Sequence, residues 1–238
     1  MVPVKFELPD IANESLKPLA QSIGGTLSSI WNMCFGWVNI SSEKIQYRRQ
    51  QDLQRFKDEL DKKISAIPEE KLCEPKISVI GPALEASKFF FEEDSLRKMF
   101  ANLIANSLNL DTADYIQTSF VEIIKQMSPV DAALFSILVD EKLSPIAEIK
   151  EVAESGGKFT LIPYLYYDDI RGYSLYKENA VSLINLQRLG LISITFREYF
   201  TNATYYDRYH IDEFSAYEIA HGVIKITPYG EAFVKVCL

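Results

Sequence analysis

The stretch Ser119-Phe120-Val121-Glu122-Ile123-Ile124-Lys125-Gln126-Met127-Ser128-Pro129-Val130-Asp131 decides how this chain is divided. It holds two helix-start signals in succession. Ser119 and Glu122 have the spacing of a capping box, with Phe120, Ile123, Ile124 and Met127 as the apolar side that follows. Ser128 is then a good N-cap. Pro129 suits the first helical position, where an N–H would have no partner anyway, and Asp131 can reach back to the cap. The second helix is expected to run to about Asp140. Two starts with no linker between them predict a tight helix–helix junction. The expected fold is therefore α+β, mainly α. An irregular lead-in covers residues 1–15, a helical region 16–127 and a mixed region 128–238.

Outward from the junction toward the N-terminus, Leu16, Leu19, Ile23, Leu27, Ile30, Cys34 and Val38 recur at spacings of three and four, the signature of a helix. No charge falls between Lys17 and Glu43. Gln21, Ser22, Ser28, Ser29, Asn32 and Asn39 are too many polar groups for a membrane span, and Gly24, Gly25 and Gly36 weaken the helix. The apolar stripe must still be covered, since each large side chain left in water costs about 1.5–3 kcal/mol. The expectation is a self-association interface built from Ile23, Leu27, Ile30, Trp31, Cys34 and Phe35. A membrane surface gripped by residues 16–40 is the alternative, motivated by Trp31, Phe35 and Trp37; it would make the protein peripheral to the inner membrane.

Residues 43–66 alternate in charge and carry Ile45, Leu53, Phe56, Leu60 and Ile64 on one stripe, an amphipathic helix. Pro68 stops it. Residues 68–82, with Pro68, Pro75, Gly81 and Pro82, read as a connector with a short extended piece at Ile77–Ile80. Ala83–Phe90 predicts a short helix. Asp94 predicts the cap of another, with Leu96, Met99, Phe100, Leu103, Ile104 and Leu108 inward.

Three runs in this region lie in a recognisable order: Pro82-Ala83-Leu84-Glu85-Ala86, Asp94-Ser95-Leu96-Arg97-Lys98-Met99-Phe100-Ala101-Asn102-Leu103-Ile104-Ala105-Asn106-Ser107, and Thr118-Ser119-Phe120 through Ser128-Pro129-Val130-Asp131-Ala132. Together they resemble the abortive infection alpha family of bacterial proteins. Gln117-Thr118 stands where that family usually has His-Pro. The resemblance implies a role in antiviral defence, that is, phage resistance, and supplies no catalytic residues. Read from the residues alone, Asn102 and Asn106 share one helix face, where they can satisfy backbone groups.

The C-terminal third, with a helix at 128–140, a helix at 176–189 running into Leu189-Gly190-Leu191-Ile192, and a strand–loop–strand ending in Ile226-Thr227-Pro228-Tyr229-Gly230, is similar to winged-helix domains. Residues 146–152 read as short helix or strand. Phe159–Tyr167 reads as an edge strand because of Pro163. Tyr176–Leu189 should bury Ala180, Leu183, Ile184 and Leu186, with Gly190 ending it. Strands are expected at Leu191–Phe196 and Val223–Thr227, and a last helix from Pro228 to about Val236. A DNA-reading helix would present Lys177, Asn185 and Arg188, but Glu178, Glu198, Asp207, Asp212 and Glu213 leave no basic cluster.

Composition narrows the chemistry. The 238 residues carry a net charge of −8, which disfavours general nucleic-acid affinity. The residues at the start lack a secretory signal, and three widely spaced cysteines, Cys34, Cys73 and Cys237, suit reduced thiols in the cytoplasm. His210 and Asp212 could share a strand face, but no further motif supports a metal or a proton shuttle there. Asp168-Asp169 reads as a turn. Tyr164, Tyr166, Tyr167, Tyr173 and Tyr176 read as half-buried packing. The expectation is a non-enzyme with no catalytic residue, cofactor or metal. It would act through protein contacts, as a homo-oligomer or on a host or phage protein. A winged-helix transcriptional regulator and a membrane-perturbing effector are the alternatives.

Overall fold

Local start signals and apolar periodicity account for most of the elements. The computed structural model describes residues 17–35, 43–153, 156–166, 176–209 and 217–238. Among them run α1 (Lys17–Phe35), α2 (Glu43–Ser65), α3 (Ile77–Ser87), α4 (Asp94–Asn106), α5 (Ser119–Lys125), α6 (Pro129–Glu141), β1 (Leu143–Val152), β2 (Lys158–Leu165), α7 (Tyr176–Arg188), β3 (Ile192–Thr195), β4 (Tyr217–Ile226) and α8 (Pro228–Cys237). The chain is mainly helical with one small antiparallel sheet, the α+β class expected. It divides into two units: the described residues up to Pro129 with Ala232–Leu238, and Val130–Glu231.

In the first unit, α1 buries Ala20, Ile23, Leu27, Ile30, Trp31, Cys34 and Phe35. The α2 stripe meets burial with Phe56, Leu60 and Ile64. Trp31 stacks on Phe56 with centroids 6.0 Å apart, and Phe91 packs 5.3 Å from Phe56 and 5.8 Å from Phe35. Phe120 of α5 meets Phe233 edge-on at 5.2 Å.

Three local expectations need correction. Ile77–Ile80 is the start of α3, not an extended piece. Its buried Val79, Ile80, Ala83, Leu84 and Ala86 keep helical spacing straight through Pro82, so burial outweighs the lost hydrogen bond. Asp94 lies inside the first turn of α4, with Glu93 at the N-cap position and no side-chain cap bond. Asp94 instead pairs with Arg97 and Lys98. Ser119 likewise opens α5, and Thr118 holds the N-cap position without a side-chain bond.

In the second unit the sheet order is β2-β1-β4-β3. The antiparallel pair expected at the end of the chain is present, Ile192 facing Ile226 and Thr195 facing Val223. β4 is longer than its apolar run, however, and pairs along β1 from Leu143↔Lys225 to Glu151↔Tyr217. Along residues 217–222, Tyr217, Ile219 and His221 point to one face and Glu218, Ala220 and Gly222 to the other. Residues 143–152 resolve as strand. Lys142, at φ 63°, turns the chain out of α6 into β1. Tyr164, at φ 53°, sits where Ala147↔Leu165 and Ile149↔Ile162 fall out of step, the extra residue of a bulge.

One joint ties α7, β3 and α8 together. Gly190 ends α7 at φ +77°, where a side chain would be strained. The Thr227 hydroxyl donates to the Gly190 carbonyl at 2.5 Å and accepts the Gly230 N–H at 2.9 Å. A Cβ on Gly230 would lie 2.1 Å from the Leu191 carbonyl oxygen, so only glycine allows this approach.

Candidate functional site

The family-like helix α4 carries polar side chains whose purpose can now be read. Arg97 is buried. Its Nε lies 3.3 and 3.2 Å from the two carboxylate oxygens of Glu59, and one Nη donates to Glu59 at 2.9 Å. The other Nη donates to the Phe91 carbonyl at 2.9 Å, and Asp94 accepts a further bond. Glu59 holds the guanidinium firmly protonated despite its burial. On the neighbouring face, the Asn102 amide donates to the carbonyls of Cys237 (3.0 Å) and Leu238 (3.1 Å), and Asn106 to that of Val236 (3.1 Å). These are carbonyls that the end of a helix leaves without intrahelical donors. Asn102 and Asn106 therefore cap α8, and Arg97 clamps α2 to α4.

The six residues expected to form an interface, Ile23, Leu27, Ile30, Trp31, Cys34 and Phe35, are covered within their own unit. Their stripe meets α2 and Phe91, which leaves none of these side chains outward for a partner.

The helix expected to carry nucleic-acid contacts is turned differently from that reading. Asn185 points inward: its amide donates to the buried Asp131 carboxylate at 2.9 Å. Its carbonyl oxygen accepts from Arg188, at 3.2 Å from Nε and 2.7 Å from Nη2. The buried carboxylate thus orients the amide, and the amide orients an exposed guanidinium. An amide used at both ends is a poor reader of base edges. Lys177 lies on the first turn of α7, and its side chain is outside the described residues. Asn179, Ser182, Leu183 and Leu186 are buried. Ile184, expected inside, is exposed together with Val181.

Tyr206 and Tyr209 pack on the sheet against Ala147, Ile149 and Leu165. Tyr206 donates to the Gly222 carbonyl at 2.8 Å, accepts the Phe200 N–H at 3.0 Å and lies flat on His221, centroids 3.9 Å apart. Tyr209 donates to the Pro145 carbonyl at 2.7 Å. Tyr166 is buried and donates to Glu141 at 3.1 Å; burial and that carboxylate push its hydroxyl well above the usual phenol range. These roles, like that of Arg97, were invisible in sequence because their partners lie far along the chain.

At the thiols, burial outweighs the lowering influence of Lys88 on Cys34 and of Lys76 on Cys73. Burial pushes Cys34 and Cys73 upward, and Cys237 well upward. Cys73 donates weakly to the Ser107 carbonyl at 3.7 Å. His210, Asp212, Glu213, Asp168, Asp169, Tyr167 and Tyr173 lie outside the described residues. Among the described residues no three His, Cys, Asp or Glu side chains converge on a metal position. No described helix is long and apolar enough to cross a membrane.

A family model described as abortive infection alpha matches residues 48–237, well over half of the chain. No curated protein and no solved structure gives a significant match.

Proposed function

This chain belongs to the abortive infection alpha family, and from that premise we propose that it is a cytoplasmic phage-defence protein that acts by contact, without catalysis. The observation that carries the reading is how the signature helix uses its polar groups. Arg97, Asn102 and Asn106 all bond within their own unit, to a carboxylate pair and to backbone carbonyls. Groups committed in this way hold helices together and have little left to offer a substrate. The raised thiols of Cys34 and Cys73 argue in the same direction. The inward turn of Asn185 favours a protein partner over DNA on α7.

The test is protection itself. Cells expressing His210→Ala, Asp212→Ala or Cys73→Ala should keep phage plating within a few-fold of wild type. Removing one member of a catalytic unit would instead abolish almost all protection. Loss of protection in His210→Ala, in protein that circular dichroism finds folded, overturns the contact reading.

A further inference from the structure

The last helix is shared between the two units. The division falls inside α8, between Glu231 and Ala232, so its first turn belongs to the sheet unit and the rest to the helical unit. Each end is fixed by its own unit. At the start, the Thr227 hydroxyl holds the Gly190 carbonyl and the Gly230 N–H, and Gly230 lies close against the Leu191 carbonyl oxygen. The Glu231 N–H then donates to the Thr227 carbonyl at 2.8 Å. Toward the end, Phe233, Val236 and Cys237 are fully buried, Phe233 against Phe120. Lys235 lays its ammonium over the Tyr115 ring, 3.5 Å from the centroid. Asn102 and Asn106 grip the last carbonyls, those of Val236, Cys237 and Leu238.

Helix hydrogen bonds run from each N–H to the carbonyl four residues back, so those of residues 232–235 reach across the division to residues 228–231. A helix of 10 residues does not hold itself in water, where even good helix formers need about 12–15. α8 therefore keeps its form only while both ends are held. If the start comes loose, the helix frays, and the end loses the ordered carbonyls that Asn102 and Asn106 grip. The reverse holds as well. We propose that α8 is a coupling strut, through which local opening of the sheet unit loosens the helical unit and local opening of the helical unit loosens the sheet unit. A partner that tightens one unit then tightens the other, with the same coupling free energy in both directions. The coupling needs no particular partner and stands apart from the contact reading.

Thiol labelling and hydrogen exchange of the full chain under native conditions test it. Cys237 is fully buried near the end of α8 and reports the opening of that end. Thr227→Val undoes the joint at the start, in the other unit, and should speed Cys237 labelling about ten-fold. Peptide mass spectrometry separates that label from those on Cys34 and Cys73. In the reverse direction, Asn102→Ala with Asn106→Ala should lower the amide protection of β3 and of residues 223–226 by about the same factor. Glu231→Gly with Ala232→Gly then puts two poor helix formers at the division. Glu231 is exposed and Ala232 half-buried, so this variant should fold, which circular dichroism checks. Should it not, Glu231→Gly alone takes its place. In the glycine background both long-range effects should vanish. Cys237 labelling that Thr227→Val leaves unchanged overturns the proposal, and so does strand protection that the asparagine changes leave untouched. Effects that survive the glycines also overturn it, because they mark global unfolding or a route other than α8.

Discussion

The helical unit and the sheet unit bind carbonyls from distant parts of the chain with a different balance of polar groups. The helical unit uses charge and amides: Arg97 bridges Glu59 and Asp94, and Asn102 and Asn106 cap the end of α8. The sheet unit, beside its Asn185–Asp131 pair, closes backbone carbonyls with neutral hydroxyls: Tyr206 on Gly222, Tyr209 on Pro145 and Thr227 on Gly190. The difference follows from the backbone. Helices expose rows of orphan carbonyls at their ends, which call for donors with reach. A sheet satisfies its ladder internally and leaves single carbonyls at bulges and joints, which one hydroxyl can reach. The two kinds of closure should answer differently to packing, salt and pH.

The largest effect is expected at the sheet unit's joint. Gly230→Ala drives a Cβ into the Leu191 carbonyl, backbone against backbone, so no side chain can yield. A loss of about 3 kcal/mol is expected, read as a lower midpoint in urea. A variant within about 0.5 kcal/mol of wild type would mean that α8 does not start as described.

Next comes the helical unit's clamp. Arg97→Met should cost about 2 kcal/mol, since it leaves Glu59 half-buried without its bidentate partner. Part of that cost is electrostatic, so the gap to wild type should narrow in 1 M salt, where screening reaches about 3 Å. A gap unchanged by salt would mean that Arg97 acts through the packing of its stem.

The smallest effect at neutral pH, and the one that best separates the units, is Tyr166→Phe. It removes the hydrogen bond to Glu141, for about 1 kcal/mol at pH 7. The folded state holds the Tyr166 proton well beyond the usual phenol range, where the unfolded chain releases it at about pH 10. Its contribution is therefore whole below about pH 10 and is lost as pH rises from there toward the folded value. Wild type should lose stability in alkali more steeply than Tyr166→Phe. Equal slopes would show that the hydroxyl is not held in its neutral form by burial. Tyr206, also pushed up by burial, leaves a residual slope in the variant.

Much of this architecture was legible because its signals are short-range. The helix break at 126–128, the Pro129 and Pro228 helix starts and the Gly190 stop each depend on residues within one turn of each other. The family signature was legible for the same reason. Asn102 and Asn106 were correctly read as satisfying backbone groups, yet the carbonyls they serve lie 130 or more residues away. Ile184 was placed inside on periodicity, and the tertiary structure places it outside. Its stripe is as regular as the buried one, and a helix pattern cannot say which face the sheet will cover.

By itself, then, the sequence determined the class, the junction between the helices and the family. Those rest on hydrogen-bond geometry and side-chain period, which a few consecutive residues carry. Only the tertiary structure decided that α1 is spent inside its own unit, that Arg97 reaches Glu59, and that α7 turns Val181 and Ile184 to solvent. Each depends on a partner brought near by the rest of the chain. The energy of such a contact does not exist until the two segments have met.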